Sequence, residues 1–283
     1  MELGIFTRTF DTTGALPTLR AVAASGFTTA QFNFACLGLP SMPDQINTDD
    51  ASAVAIASND AGVSIAAVSG TYNMVHPDLA VRQRGLQRLE VLCGACATIG
   101  MRIVTLCTGT RDPEDQWSWH PDNVSKAAWS DLLTELESAV LIAERFGVVL
   151  GIEPERANIV SSPQRARQLL DELRSTRIRI ILDPANLFDV ATDAERRTIV
   201  EQAVDLLAGD LAIAHAKDRD TSGKIAAAGT GVIDFPHFVA QLRRVRFDGP
   251  LVAHDLAQSQ ASRVAAFLTG VLAESGLRGA EAG

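Results

Sequence analysis

Short apolar segments rich in branched residues alternate with longer amphipathic segments along the whole chain, at a spacing of roughly 30 residues. The apolar segments, which read as buried strands, are Leu3–Thr7, Thr28–Phe34, Val63–Ser69, Arg102–Cys107, Val148–Glu153, Ile178–Asp183, Leu211–Ala216 and Pro250–His254. The helical segments cover 14–25, 48–61, 81–99, 126–146, 163–174, 194–208, 235–246 and 259–275. Eight such strand–helix units predict an α/β fold of the (β/α)8 type, the TIM barrel.

A doubly wound open sheet shows the same alternation and is the alternative architecture. No Gly-x-Gly-x-x-Gly follows the first strand, which disfavours the dinucleotide-binding version of that sheet. The 283 residues suffice for one large core, and no linker-like change of composition interrupts them before the last few residues. We therefore predict a single barrel domain over 1–276, with a frayed tail over 277–283.

The charge balance restricts the class of partner. With 25 Lys and Arg against 34 Asp and Glu, the net charge is −9, and no basic run occurs. Such a chain is expected to bind neither nucleic acid nor an anionic membrane. No apolar stretch reaches the ~20 residues of a membrane span, and Met1–Phe6 lacks the features of a signal peptide. These observations predict a cytoplasmic protein.

Two of the four cysteines, Cys93 and Cys96, have the spacing of a redox motif. They lie inside a helical segment, however, where no helix N-terminus stabilises a thiolate. We expect them to be buried small apolar residues rather than redox or metal-binding groups.

Polar residues stand at the ends of the last four predicted strands. Glu153 ends the fifth strand and Asp183 the sixth, while His215 and His254 stand near the ends of the seventh and eighth. In a barrel these ends converge on one face, so the side chains are expected to point at the barrel axis. Two carboxylates and two imidazoles suit one divalent ion such as Mn²⁺, Zn²⁺, Co²⁺, Fe²⁺ or Mg²⁺. Taken singly, each residue can equally be a helix cap, a salt-bridge partner or a hydrogen-bonded core histidine.

Five motifs in the second half of the chain carry a resemblance to a known family. They are Gly-Ile-Glu-Pro-Glu at 151–155, Leu-Asp-Pro-Ala-Asn at 182–186, His-Ala-Lys-Asp at 215–218, Gly-Thr-Gly-Val-Ile-Asp-Phe at 229–235 and Phe-Asp-Gly-Pro-Leu-Val at 247–252. They resemble the sugar phosphate isomerase/epimerase family of xylose isomerase-like TIM barrels, and the resemblance extends from Leu3 to about Leu272. It implies a homodimer or homotetramer that holds one divalent metal ion and acts on a carbohydrate, with metal ligands at Glu153, Asp183 and His215.

The chain departs from the family pattern at the fourth ligand. The family usually has a glutamate there, which also acts as an acid or base, whereas this chain has His254 followed by Asp255. His254 can bind metal as a neutral imidazole, and we expect it to be the fourth ligand. The alternative is a slip or bulge that presents Asp255 instead.

The resemblance implies an isomerase or epimerase that moves a proton beside the carbonyl of a sugar, keto-sugar or sugar phosphate. Its metal ion stabilises the enediolate that forms. Glu153 is the expected base, and Lys217 and Glu155 are candidates for proton transfer. Lys217 can instead simply pair with Glu155 or Asp218. Without the usual glutamate, a one-base isomerisation is easier to support than a two-base epimerisation.

The loops after the third and fourth strands supply candidate substrate contacts. Arg111 suits a carboxylate or phosphate, and the indole rings of Trp117 and Trp119 suit the face of a sugar. His76 and His120 lie in the same two loops. The alternative is a tucked loop whose tryptophans anchor packing or an oligomer contact. Similarly, 229–231 either cradles a phosphate with its backbone or forms an ordinary tight turn.

Three other functions remain open from the sequence. One is a metal-dependent lyase, a decarboxylase or dehydratase of an oxidised sugar or 3-keto sugar acid, for which one acid or base is enough. Another is a metal-dependent hydrolase like the DNA-repair endonucleases of this barrel type, which the acidic charge and the 5 histidines disfavour. The last is a barrel that binds a ligand without catalysis.

Overall fold

Eight parallel strands close into a barrel in the computed structural model, which describes the backbone of residues 1–280 and the side chains of residues 1–275. The barrel strands are β1 (Leu3–Phe6), β2 (Thr29–Phe32), β3 (Ser64–Ser69), β4 (Ile103–Cys107), β5 (Val149–Glu153), β6 (Ile178–Leu182), β7 (Leu211–Ala216) and β10 (Leu251–Ala253). Strands β8 (Asp218–Arg219) and β9 (Ile225–Ala226) form a separate antiparallel ribbon. The predicted TIM barrel is confirmed.

A helix follows each barrel strand. The helices are α1 (Ala15–Ala24), α2 (Thr48–Ala61), α3 (Leu79–Ile99), α4 (Lys126–Phe146), α5 (Pro163–Leu173), α6 (Asp193–Leu207), α7 (Phe235–Arg244) and α8 (Ala261–Ala280). Side chains cap most of their N-termini: Ser125 Oγ, for example, accepts a hydrogen bond from Ala128 N at 3.1 Å. The side chains of 277–283 lie outside the described residues. The prediction of a frayed tail there stays a prediction.

Apolar residues fill two layers. The larger lies between the sheet and the helices, where Leu89, Leu132 and Leu136 are fully buried. The smaller lies inside the barrel and consists of Ala67, Ile181, Ile213 and Val252. Because alternate residues of a strand face the same side, the residue two positions beyond each of these also points inward. This alternation places polar side chains directly above the apolar interior, at the carboxyl ends of the strands.

All four cysteines are buried and free. Burial raises the pKa of the Cys96 thiol to about 12 and raises that of Cys93 as well, so both stay neutral thiols. They pack as the small apolar residues that the sequence predicts. Within residues 1–280, no helix combines the length and the apolar character that crossing a membrane requires.

Candidate metal centre and substrate cavity

Four buried side chains converge at the carboxyl ends of β5, β6, β7 and β10. Asp183, His215 and His254 lie two positions beyond the interior residues Ile181, Ile213 and Val252, which explains why they point inward. Glu153 joins them from the last position of β5. One nitrogen or oxygen atom of each residue lies within 4.8 Å of the others. We call these four residues the metal-ligand cluster, because their spacing and atom types fit one divalent ion.

A cavity of about 520 Å³ opens above this cluster. Its lining joins charged residues from several strand ends with polar and aromatic residues of the loops. The lining residues are Phe6, Arg8, Thr9, Gln31, Asn33, Ser41, Ser69, Thr71, Thr105, Leu106, Cys107, Gln116, Trp117, Glu153, Glu155, Lys217, His254, Asp255 and Leu256. The volume and the polar lining suit a carbohydrate-sized molecule.

The tautomer of His215 follows from its neighbour Gln31. The amide nitrogen of Gln31 lies 3.0 Å from Thr105 Oγ1 and 3.3 Å from Ser69 Oγ, so its carbonyl oxygen Oε1 faces His215. Oε1 can only accept, so His215 Nε2, at 3.0 Å, must carry the proton and donate it. The lone pair of His215 is therefore on Nδ1.

That nitrogen is a test of whether a metal fits. Among the side chains of residues 1–275, His215 Nδ1 is buried without a hydrogen-bond partner. It faces Glu153 Oε1 at 3.2 Å, and this oxygen accepts a hydrogen bond from Asn186 Nδ2 at 3.0 Å. A lone pair facing a carboxylate oxygen is unfavourable unless a proton or a cation lies between them. In a metal-binding histidine, one ring nitrogen typically faces the ion and the other donates a hydrogen bond to a neighbouring acceptor. Nδ1 and Nε2 of His215 fit these two roles. The residues fit a divalent ion.

Asp183 and His254 form the other half of the cluster. His254 Nε2 donates to Asp183 Oδ2 at 2.8 Å. Burial alone would raise the pKa of Asp183, yet Lys217 and the bond from His254 lower it to about 2. Burial alone would lower the pKa of His254, but the same bond raises it. Asp183 is thus held as a carboxylate, the form that a metal requires.

The structure brings His254 into the cluster and leaves Asp255 outside it. Asp255 has φ +54°, a left-handed conformation that turns the chain immediately after β10. As a result the side chains of His254 and Asp255 both reach the cavity, whereas successive residues of a regular strand face opposite sides. Asp255 Oδ2 lies 3.4 Å from His254 Nδ1. The predicted role of His254 as the fourth ligand stays a prediction.

Lys217 lies buried among carboxylates. Its Nζ lies 3.3 Å from Glu155 Oε1, 3.7 Å from Asp183 Oδ2 and 3.8 Å from Asp255 Oδ2. Burial opposes the charge, but the surrounding carboxylates outweigh it and raise the pKa of Lys217. Burial and the nearby charge of Glu153 raise the pKa of Glu155 to about 7. The cavity therefore contains a fixed ammonium beside a carboxyl group that can take or give a proton near neutrality.

Only one of the predicted substrate-binding side chains, that of Trp117, lines the cavity in the part of the chain whose side chains are described. Trp117 lines the cavity with half of its surface exposed, at 50%. Trp119 is 58% exposed and does not line it. Arg111 forms a 2.5 Å ion pair with Asp131.

The two predicted histidines support the loops. His76 Nε2 lies 3.1 Å from the carbonyl oxygen of Pro113, and its Nδ1 accepts from Asp78 N. His120 Nδ1 accepts from Asp122 N at the start of a short 3-10 helix. Neither histidine lines the cavity, nor does Arg111. Substrate binding by these three residues and by Trp119 stays a prediction.

The glycine-rich segment 229–231 is engaged by the protein itself. Gly229 N and Gly231 N donate to Asp218 Oδ2 at 3.1 and 2.9 Å, and Arg219 N and Ile233 N donate to its Oδ1. A Cβ at Gly231 would lie 2.0 Å from the carbonyl oxygen of Arg219, so the position requires glycine. These amides hold a buried carboxylate, and the segment is a turn rather than a phosphate cradle.

Sequence reasoning missed most of the loop and strand residues that line the cavity, among them Arg8, Gln31 and Cys107. Gln31 had a detectable signal, because Thr29 and Gln31 occupy alternate positions of a short strand and hence one inward face. Cys107 reads as an apolar strand residue, although it lies next to Glu153 and Glu155. Arg8 lies in a short 3-10 turn that gives no periodic signal.

Comparison with known proteins agrees with this geometry. The profile of the family described as xylose isomerase-like TIM barrel matches residues 19–268, most of the chain. The chain belongs to this family. No curated protein matches the chain with significant sequence similarity.

Solved structures with the same fold as this xylose isomerase-like barrel include sugar epimerases. A D-tagatose 3-epimerase-like protein superposes with a TM-score of 0.78 at 15% identity, covering 98% of this chain and 99% of the other. An L-ribulose 3-epimerase gives 0.76 at 18% identity, with 99% and 97% covered. The 3-keto-D-glucoside 4-epimerase of E. coli gives 0.75 at 17% identity, with 95% and 99% covered. At these identities the likeness shows a shared fold.

Proposed function

We propose that this barrel is a divalent-metal-dependent isomerase or epimerase acting on a sugar, keto-sugar or sugar phosphate. The observation that carries the proposal is the unpartnered Nδ1 of His215, held by Gln31 toward two carboxylates and a second histidine at the base of a polar cavity. The sugar epimerases among the structural neighbours agree with this class of reaction.

Glu153, Asp183, His215 and His254 would hold the ion. A bound divalent ion supplies a positive charge that polarises a substrate carbonyl and stabilises the negative charge of an enediolate. Asn186 orients Glu153 by donating to its Oε1 at 3.0 Å. Gln31 orients His215 in the same manner, so that the ligand atoms are in place before substrate arrives.

The carboxylates that line the cavity would transfer the proton. Glu153 and Glu155 face the cavity from the β5 side, and Asp255 faces it from β10. Glu153 is the proposed base that removes the proton beside the carbonyl. Lys217 contacts both Glu155 and Asp255, so its fixed charge stabilises whichever carboxylate is ionised. With Asp255 in the cavity, carboxylates from two sides can act, as an epimerisation requires.

One observation supports a lyase as the second candidate. His254 stands where the family pattern has a glutamate that serves both as metal ligand and as base. The imidazole is a poor replacement for that base, because its Nε2 already donates to Asp183. If Asp255 takes no proton, a single base remains. One base is sufficient for decarboxylation or β-elimination of an oxidised sugar or 3-keto sugar acid, which also passes through an enolate.

The first experiment is elemental analysis of the purified protein. We expect about one divalent ion per chain, lost in His254→Ala and retained in Asp255→Ala, because only His254 belongs to the cluster. Circular dichroism of each variant checks the fold. Protein that stays free of metal after incubation with Mn²⁺, Zn²⁺ and Co²⁺ would contradict the proposal and favour a barrel that only binds a ligand.

The reaction class is tested by incubating the metal-loaded protein with candidate keto-sugars in D2O. An isomerase or epimerase gives a product deuterated beside the carbonyl that keeps every carbon and oxygen atom of the substrate, which proton NMR and mass spectrometry detect. A decarboxylase also takes up deuterium there but gives a product one carbon shorter together with carbon dioxide, and a dehydratase gives a product that has lost water. Glu153→Gln should abolish either reaction. The identity of the ion, a homo-oligomeric state and a cytoplasmic location stay predictions.

A further inference from the structure

One side of the cavity mouth carries side-chain hydrogen-bond donors that have no partner among the described residues. Arg8 and Thr9 belong to the 3-10 turn after β1, and Asn33 and Ser41 follow β2. Strands β1 and β2 pair in the barrel, so the four residues lie on one side of the opening. Within the described side chains, Arg8, Thr9 and Ser41 make no side-chain hydrogen bond, and the amide nitrogen of Asn33 makes none. We call Arg8, Thr9, Asn33 and Ser41 the β1–β2 rim.

Within residues 1–275, the charge of Arg8 has no ion-pair partner, whereas the charge of Lys217, which also lines the cavity, has several. Lys217 has three carboxylates within 4 Å. Arg8 has no ion-pair partner among residues 1–275, although three acidic residues line the same cavity. Of those acidic residues, Glu153 belongs to the metal-ligand cluster, and Glu155 and Asp255 lie beside Lys217. The cavity is thus acidic at its base and cationic at the β1–β2 rim.

The rim and the cluster are close enough for one small molecule to contact both. Phe6, two residues before Arg8, has its ring centroid 5.5 Å from that of His254. Each residue of a 3-10 turn advances the chain by only about 2 Å, so Arg8 starts just above this contact. A molecule whose carbonyl lies at the cluster would extend its carbon chain past the guanidinium.

We propose that Arg8, with Thr9, Asn33 and Ser41, forms a subsite for an anionic group, a carboxylate or a phosphate, carried by the substrate at a distance from its reacting carbonyl. The planar guanidinium binds either group with two parallel hydrogen bonds. The hydroxyl groups of Thr9 and Ser41 and the amide of Asn33 can donate to the remaining oxygens. The statement that the ligand is a sugar derivative rests on the proposed function, whereas anion binding does not.

Because the chain is acidic overall, an anionic substrate depends on the positive charge of Arg8 for binding. At −9, the protein repels anions at long range, so an anionic substrate needs a specific positive site to bind. Gln116 and Trp117 line the cavity from the β4–α4 loop, and β4 stands three strands away from β1 in the barrel. Trp117 can therefore cover the sugar face while Arg8 holds its charged end.

Isothermal titration calorimetry with three probes tests the subsite: D-fructose, D-fructose 6-phosphate and D-gluconate. Wild-type protein should bind at least one anionic probe more tightly than D-fructose. Arg8→Gln should weaken the binding of that probe by about tenfold or more, because a charge-assisted pair is lost, and change the affinity for D-fructose less than twofold. Arg20→Gln is the matched control, since Arg20 is exposed on α1 and outside the cavity.

Each titration is repeated after EDTA treatment, because a phosphate or carboxylate can also bind a metal ion directly. If Arg8→Gln weakens the binding of D-fructose 6-phosphate alone, the substrate is assigned as a sugar phosphate. If it weakens the binding of D-gluconate alone, the substrate is assigned as a sugar acid. Wild-type protein that binds neither anion more tightly than D-fructose, or an Arg8→Gln variant with unchanged discrimination, overturns the subsite.

The proposed function can fail independently of this inference. Discrimination that depends on Arg8 in a protein without metal would leave the subsite standing and remove the isomerase. Metal-dependent turnover of neutral sugars alone, unaffected by Arg8→Gln, would support the isomerase and overturn the anion subsite.

Discussion

At the scale of single residues, the site depends on which atom of each side chain carries a proton. Gln31 illustrates this, since it is buried and lies outside the metal-ligand cluster, yet its hydrogen bond determines the tautomer of His215. The two hydroxyl groups that hold its amide, on Ser69 and Thr105, come from two further strands. The orientation of one imidazole on β7 is therefore specified by side chains from three other strands.

Replacing Gln31 by leucine should lower the affinity for Zn²⁺ or Mn²⁺ by about 10- to 100-fold, because His215 loses the acceptor that fixes its tautomer. Gln31→Glu keeps an acceptor at the same position and should retain the metal. Competition with a chromogenic chelator measures both affinities. Gln202→Leu, an exposed position on α6, is the control. Equal affinity in Gln31→Leu and wild type would show that this hydrogen bond does not position the ligand.

At the scale of elements, the segment from β8 to the start of α7 is organised by one buried carboxylate. Asp218 accepts hydrogen bonds from four backbone amides, those of Arg219, Gly229, Gly231 and Ile233. This segment directly follows Lys217 and His215 in the chain. The anchor therefore fixes the end of β7, where two residues of the site are located.

Asp218→Ala should lower the free energy of unfolding by about 3 kcal/mol, since it leaves four backbone donors without their acceptor. Urea denaturation measures this change. Asp220→Ala is the control: Asp220 is half-buried and accepts from Ser222 and Lys224, but these bonds are exposed and water can replace them, so its loss should cost less than about 1 kcal/mol. If the two variants unfold at the same urea concentration, Asp218 is not the anchor of this segment.

At the scale of the molecule, the metal-ligand cluster joins distant parts of the chain. Glu153 and His254 lie about 100 residues apart in the sequence yet share one site. An ion bound there would hold the ends of four strands together, and it would offset the repulsion between Glu153 and Asp183. Binding to the folded state alone stabilises that state.

Saturating metal should therefore raise the melting temperature. At a free ion concentration near 100 Kd the gain is about 2.7 kcal/mol, which for a chain of this length corresponds to roughly 5–10 °C. Differential scanning calorimetry of EDTA-treated protein, with and without added Zn²⁺ or Mn²⁺, measures the shift. His254→Ala should show a much smaller rise. An unchanged melting temperature in wild type would contradict a metal site in the cluster.

The barrel itself was predictable from the sequence, because strand and helix patterns are local. The predicted segments Leu211–Ala216, 48–61 and 126–146 coincide with β7, α2 and α4. The meeting of Glu153, Asp183, His215 and His254 was also predictable, because alternation within each strand fixes which side chains face the axis and the barrel brings strand ends together. Metal binding by these residues stays a prediction.

Loop contacts and tautomers were decided only by the tertiary structure. The pairing of Arg111 with Asp131 and the contact of Gln31 with His215 across 184 positions both join separate segments of the chain. The left-handed conformation of Asp255 likewise has no periodic signal in the sequence. No periodicity encodes such contacts, because a loop takes the conformation that its packing partners allow. The sequence by itself determined the barrel and the inward face of each strand, and the closed barrel decided which polar atoms meet there.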